Sequence, residues 1–298
     1  MDRSIMIAYA KVISAMVILG SMGVFVRHIP LPSEEIALVR AFLGSLFLLA
    51  ALLLGRRPID WPLLKKQLPL LVACGISLGL NMAFLYQAYA YTSISNATLI
   101  YYCGPLLAML VSPLVLKERL TFFKLLGISV AMGGLFLINA VKTGALGPNP
   151  LRGLLFGLLA ALMYVSILMV NKFVHGIPGL LHTCILMLVA WIALLPYVLL
   201  HHRGPWILPG LTGGLIDLLL LGLVHGGLAC YLYYSALQQL PAQTMALCGY
   251  IDPLSALFFS ALLLSERLSA WQWLGAALIF AGALFGELYH PKTKTSKT

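Results

Sequence analysis

Asp252 and Pro253 sit side by side in "CGYIDPLSALFFS", a stretch with no other ionisable carboxylate or cation. A carboxyl held away from water keeps its charge only at a cost, so it must take a proton, pair with a cation or collect hydrogen bonds. Three uses follow: binding a proton, pairing with a cationic or amine-bearing molecule, or bracing the kink that Pro253 makes. Other polar groups lie in equally apolar surroundings. His225 precedes Tyr233 and Tyr234 by about two helical turns. Asn81 is followed by Tyr86, while Tyr102 and Tyr250 each stand shortly before a proline, Pro105 and Pro253. Tyrosine rings offer apolar area together with a face that attracts cations, so these residues suit a pocket for an amphipathic organic molecule. Each of them, His225 included, equally suits a packed core. Arg40 lies within an apolar run, where its long stem would let the guanidinium snorkel outward; its alternatives are a gate or a clamp for a substrate carboxylate.

Enzyme chemistry finds little to work with. Cys74, Cys103, Cys184, Cys230 and Cys248 form no C-x-x-C pair, and no zinc, nucleophile-elbow or phosphate-loop motif occurs. Neither a cofactor nor a metal is expected, and catalysis by His225 and Asp252 within the membrane is a distant alternative, as is a sensor or scaffold.

The elements that must hold these residues follow from composition. With 61% hydrophobic and 9% charged residues over 298 positions, the chain lacks the charge that a water-soluble domain needs, so its solvent is lipid. Long apolar runs without strict alternation indicate helices and not barrel strands. Ten spans are expected, near 6–27, 34–54, 67–90, 95–115, 121–140, 152–174, 179–200, 211–237, 241–264 and 270–289. Ser33 and Thr121 are expected as helix caps, Trp61, Trp271 and Trp273 as interfacial anchors, and 291–298 as a cytoplasmic tail. An amino terminus in the cytoplasm puts most Lys and Arg on the inner side, as the positive-inside rule requires. The net charge of +10 then reflects topology and anionic head groups, and nucleic acid is not an expected partner.

The word "LKERL" at 116–120 returns as "LSERL" at 264–268, and a shift of 148 residues also lays Pro105 on Pro253, Gly127 on Gly275 and Gly134 on Gly282. The chain reads as a duplication, with one five-helix copy over 1–145 and a second over 146–290. An odd number of spans per copy forces the two to enter the membrane upside down relative to each other. That is the pattern of secondary transporters, whose sites lie near the midplane between the copies. Glu118 and Arg119, like Glu266 and Arg267, are expected to cap and orient their own loops. Gly75 and Gly79, Gly153 and Gly157, Gly222 and Gly226, and Gly282 and Gly286 have the spacing of close helix contacts.

These features resemble the EamA-type branch of the drug/metabolite transporter superfamily, most specifically in "GPLLAMLVSPLVLKERLTFFKLLGISVAMGGLFLI" and "DPLSALFFSALLLSERLSAWQWLGAALIFAGALF". The resemblance implies a ten-helix carrier that exports small amino-acid-like or amphipathic metabolites across the cytoplasmic membrane by alternating access. Proton-coupled export of amines or organic cations is the alternative, motivated by Asp252 and the tyrosines. The expected partners are a small-molecule substrate, the bilayer and, as a coupling ion, protons.

Overall fold

A computed structural model describes residues 3–56, 58–140, 148–202, 214–263 and 268–288. The expected junction at 145, Glu266 and Arg267 of the second loop, and the tail at 291–298 lie outside the described residues.

All regular structure among the described residues is helical. The first copy holds α1 (Arg3–Gly20), α2 (Met22–Val26), α3 (Ser33–Gly55), α4 (Trp61–Tyr91), α5 (Ile94–Tyr101), α6 (Cys103–Val115) and α7 (Phe122–Ala140). The second holds α8 (Pro150–Asn171), α9 (Gly179–His201), α10 (Ile216–Leu220), a π-helical stretch (Leu221–Ala229), α11 (Cys230–Leu237), α12 (Ala242–Cys248), α13 (Ile251–Leu263) and α14 (Ala270–Leu288). Joined where they run on, these make nine spans long and apolar enough to cross a bilayer among the described residues. The tenth is α14, which lies along α7, itself one of the nine. The protein is an all-helical integral membrane protein.

Local chemistry explains most boundaries. α4 starts well before the expected residue 67, because the Asp60 side chain accepts the Leu63 amide at 3.0 Å and Pro62 fits the first turn. Thr121 caps α7 as expected, accepting the Lys124 amide at 3.3 Å. Ser33 does not cap: it is already the first residue of α3, after Pro32. The fourth and ninth spans are broken, not merely kinked. Pro105 and Pro253 are the third residues of the new helices α6 and α13, positions whose amides have no intrahelical acceptor in any helix. The Gly249 carbonyl, which Pro253 cannot bond, accepts the Asp252 amide at 3.3 Å.

The glycines fix how the copies cross. A Cβ on Gly127 would meet the Gly282 carbonyl oxygen at 2.5 Å, and one on Gly134 would meet that of Gly275 at 2.4 Å. Along α7 the number rises while its partner on α14 falls, so these equivalent helices run antiparallel and the copies are inverted. The remaining packing obeys the same exchange. α4 lies on α8 and α9, and correspondingly α11 lies on α1 and the π-helical stretch lies on α3. α6 packs on α8 as α13 packs on α1. Trp61, Trp271 and Trp273 are exposed, consistent with anchors at the lipid interface.

Candidate functional site

A cavity of about 290 Å³ lies where the copies meet. The first copy contributes to its wall Arg40 from α3, Asn81 and Tyr86 from α4, and Tyr101, Tyr102 and Pro105 from the break between α5 and α6. The second copy supplies Tyr164 from α8, Tyr233 and Tyr234 from α11, and Gly249 and Asp252 from the break between α12 and α13. First-copy wall residues stand in the halves of their helices remote from the amino-terminal face, whereas those of the second copy stand nearer to it. The cavity therefore straddles the middle of the bundle.

At its centre the two broken helices are stitched together. The Tyr102 hydroxyl donates to Asp252 Oδ2 at 2.9 Å, and the Tyr250 hydroxyl donates to the Tyr102 carbonyl at 3.0 Å. Tyr102 and Tyr250 are equivalent under the 148-residue shift, and their rings face each other with centroids 6.2 Å apart. The exchange is not symmetric, because Asp252 has only Gly104 as its counterpart. Asp252 occupies the first turn of α13, where the helix dipole favours a negative group. The carboxylate is thus held by a phenol and a helix end while still facing the cavity.

Asn81, on the cavity wall, is fixed by donating to the Ala160 carbonyl at 2.7 Å. Tyr164 and Tyr233 approach hydroxyl to hydroxyl at 3.5 Å, and Tyr101 packs edgewise on Tyr164. Arg40 does not snorkel. Its side chain is buried on the cavity wall, with Nη1 donating to Met22 Sδ at 3.0 Å and Nη2 directed at Met82 Sδ at 3.8 Å.

Three expected site residues stand elsewhere. His225 lies in the π-helical stretch, its Nε2 3.0 Å from the Ser21 hydroxyl and its ring against Phe25, and so bridges the interruption between α1 and α2. Tyr250 is fully buried behind Tyr102. Pro253 lies one residue beyond the wall. Sequence reasoning in turn missed Tyr89, Tyr101, Tyr164, Met16, Met22 and Met82, all of which line the cavity. Tyr101 could have been found beside Tyr102; the methionines carry no signal that separates wall from core.

Toward the amino-terminal face the copies are tied by side chains. Glu118 does not cap its own loop: its carboxylate accepts the amides of Ala242 at 2.8 Å and Gln243 at 3.2 Å, capping α12 of the other copy. Lys117, at φ 56°, turns the chain so that Glu118 reaches across. Within the second copy, the Lys172 ammonium donates to the carbonyls of Leu237 and Leu240 that end the eighth span. Glu287 accepts from Tyr9 and Thr244, joining the first, ninth and tenth spans.

An inverted pair of five-span units around a central cavity defines the class of multi-pass membrane transporters. The sequence pattern of the EamA-like transporter family matches residues 6–140 and again 151–286, and the chain belongs to that family. Among similar proteins, the uncharacterized transporter YxxF of Bacillus subtilis (strain 168) is 27% identical over 284 residues, covering 92% of this chain and 88% of its own. An uncharacterized transporter of Clostridium kluyveri is 24% identical, covering 88% and 86%. The uncharacterized protein PA1977 of Pseudomonas aeruginosa is 32% identical over 236 residues, covering 78% and 76%. A solved crystal structure at 17% identity shares the fold, with a TM-score of 0.82 over 94% of this chain and 97% of its own.

Proposed function

We propose that the protein is a secondary carrier that moves small amino-acid-like or amphipathic metabolites by alternating access, with export from the cytoplasm as the working direction. The observation that carries this reading is the cavity at the junction of the two inverted copies, walled by the broken helices of both. A wall shared by both copies changes shape when one copy rocks against the other, which alternating access requires. The lining of tyrosines, thioethers and a few fixed polar groups suits a molecule with an apolar body. Both termini lie in the cytoplasm of a cell with the chain in its cytoplasmic membrane, the arrangement that the distribution of Lys and Arg favours.

A second reading, proton-coupled export of amines or organic cations, rests on Asp252 facing the cavity under one phenolic donor. Counterflow by the purified chain in proteoliposomes, run with a mixed metabolite panel, tests the first reading: at least one compound exchanges against itself, and a panel without exchange sinks it. Asp252→Asn tests the second. Loss of pH dependence together with loss of amine flux supports it, and unchanged profiles remove it.

A further inference from the structure

We infer that Arg40 anchors an anionic group of the transported molecule, so that the substrate class is a small organic acid or zwitterion carrying an aromatic or aliphatic body. The inference deepens the carrier reading and rests on it. A guanidinium stays protonated in any protein environment, so burial cannot neutralise Arg40. Yet its side chain is only 8% exposed and its Nε is buried without a hydrogen-bond partner. Among the described residues the two Nη groups have as hydrogen-bond acceptors only the thioethers of Met22 and Met82, which are weak ones. Among the described residues no carboxylate lies within salt-bridge distance. Glu35 on the same helix is engaged with His202 at 2.8 Å, and Asp252 across the cavity is engaged with Tyr102.

The Arg40 backbone and stem pack closely against the second copy. The π-helical stretch presses on them: a Cβ on Gly226 would meet the Arg40 carbonyl oxygen at 2.6 Å and its Cγ at 3.2 Å. The stem is wedged, and the head group points into the cavity. The position is also particular to one copy, since the 148-residue shift places Leu188 opposite Arg40, and Leu188 faces outward. A fixed, buried cation with unused donors on a cavity wall wants an acceptor with negative charge. One guanidinium matches one carboxylate, while the surrounding Tyr86, Met22 and Met82 favour carbon and not water around it. A multiply charged phosphate would need further positive charge, and among the described residues Arg40 is the one cation on this wall.

The test uses the full-length purified chain in detergent and three probes sharing one ring: indole-3-acetate, indole-3-acetamide and tryptamine. The acid is expected to bind at least about tenfold more tightly than the amide or the amine, the size of one charge-assisted contact. Arg40→Gln is expected to erase that preference while still binding the amide, which also reports that the variant is folded, and Arg40→Lys is expected to restore part of it. Chloride and inorganic phosphate, added alone as competitors, are expected to displace the acid poorly. The anchor is overturned if the native chain shows no preference for the acid, if Arg40→Gln keeps the preference, or if inorganic phosphate competes as well as the acid. Comparing native acid with native amide needs no variant, and a missing preference there overturns the anchor even if Arg40→Gln does not fold. Counterflow separates the two readings: tryptamine exchange that is indifferent to Arg40→Gln removes the anchor and leaves the carrier. Acid binding through Arg40 with no exchange of any probe does the reverse.

Discussion

The Asp252 carboxylate, one phenol and one helix end form the smallest unit with a functional consequence. Tyr102→Phe removes the one side-chain donor to Asp252 found among the described residues while keeping the ring, and is expected to slow exchange several-fold with little change in melting temperature in detergent; unchanged exchange would mean that the phenol only fills space. His225 gives the opposite expectation. Its bond to Ser21 and its place away from the cavity assign it to packing, so His225→Ala should cost about 1–3 kcal/mol of stability and leave substrate affinity unaltered. Asn81, Tyr86, Tyr102 and Asp252 could be picked from the sequence because polar atoms in an apolar run stand out. His225 stood out for the same reason and stands elsewhere, since a polar residue needs a partner and Ser21 serves as well as a ligand. The methionine and tyrosine walls were hidden because lipid-facing, core and cavity positions draw on the same residue types.

Between residue and molecule, helix ends and helix crossings decide what holds. Glu118→Ala strips two amides at the start of α12, which follows Pro241 and has no cap of its own. Loss of a cap typically costs about 1 kcal/mol, up to about 2, and the same variant should open the amino-terminal face to solvent. Faster amide hydrogen exchange at Ala242 and Gln243 would report it, and unaltered exchange would show that the cross-copy cap is dispensable. Gly127→Ala pushes a methyl into the carbonyl of Gly282 and is expected to destabilise the α7 and α14 pair by about 1–3 kcal/mol, read as a lower melting temperature. The repeated Glu-Arg-Leu loop was legible as a repeat, but not as a bond between copies, because nothing in a linear string says that residue 118 reaches residue 242. The prolines likewise signalled disturbed helices, whereas the breaks at Tyr102 and at Gly249–Tyr250 depend on what their loose backbone finds across the interface.

For the molecule as a whole, the 148-residue shift was the most informative signal, because two odd-span copies leave only one way to thread a bilayer. The antiparallel α7 and α14 agree with it. Arg119 and Arg152 are both exposed and lie at opposite ends of the bundle. Single cysteines at these positions should therefore differ toward an impermeant maleimide on intact cells, with position 152 labelled and position 119 labelled only after permeabilisation. Labelling of both from outside would contradict the threading. The cavity's position at the junction follows from the symmetry; its charges do not, since Arg40 and Asp252 each face a neutral counterpart in the other copy.

That mismatch has a thermodynamic reach. A machine assembled from two identical inverted halves would rest equally on both sides and grip its cargo with one strength from either. Gly104 opposite Asp252 and Leu188 opposite Arg40 remove that equality. On the proposed alternating-access cycle, half-saturating concentrations measured from the two faces should differ, and the empty carrier should dwell longer in one orientation, while equilibrium across the membrane continues to be dictated by the gradients alone.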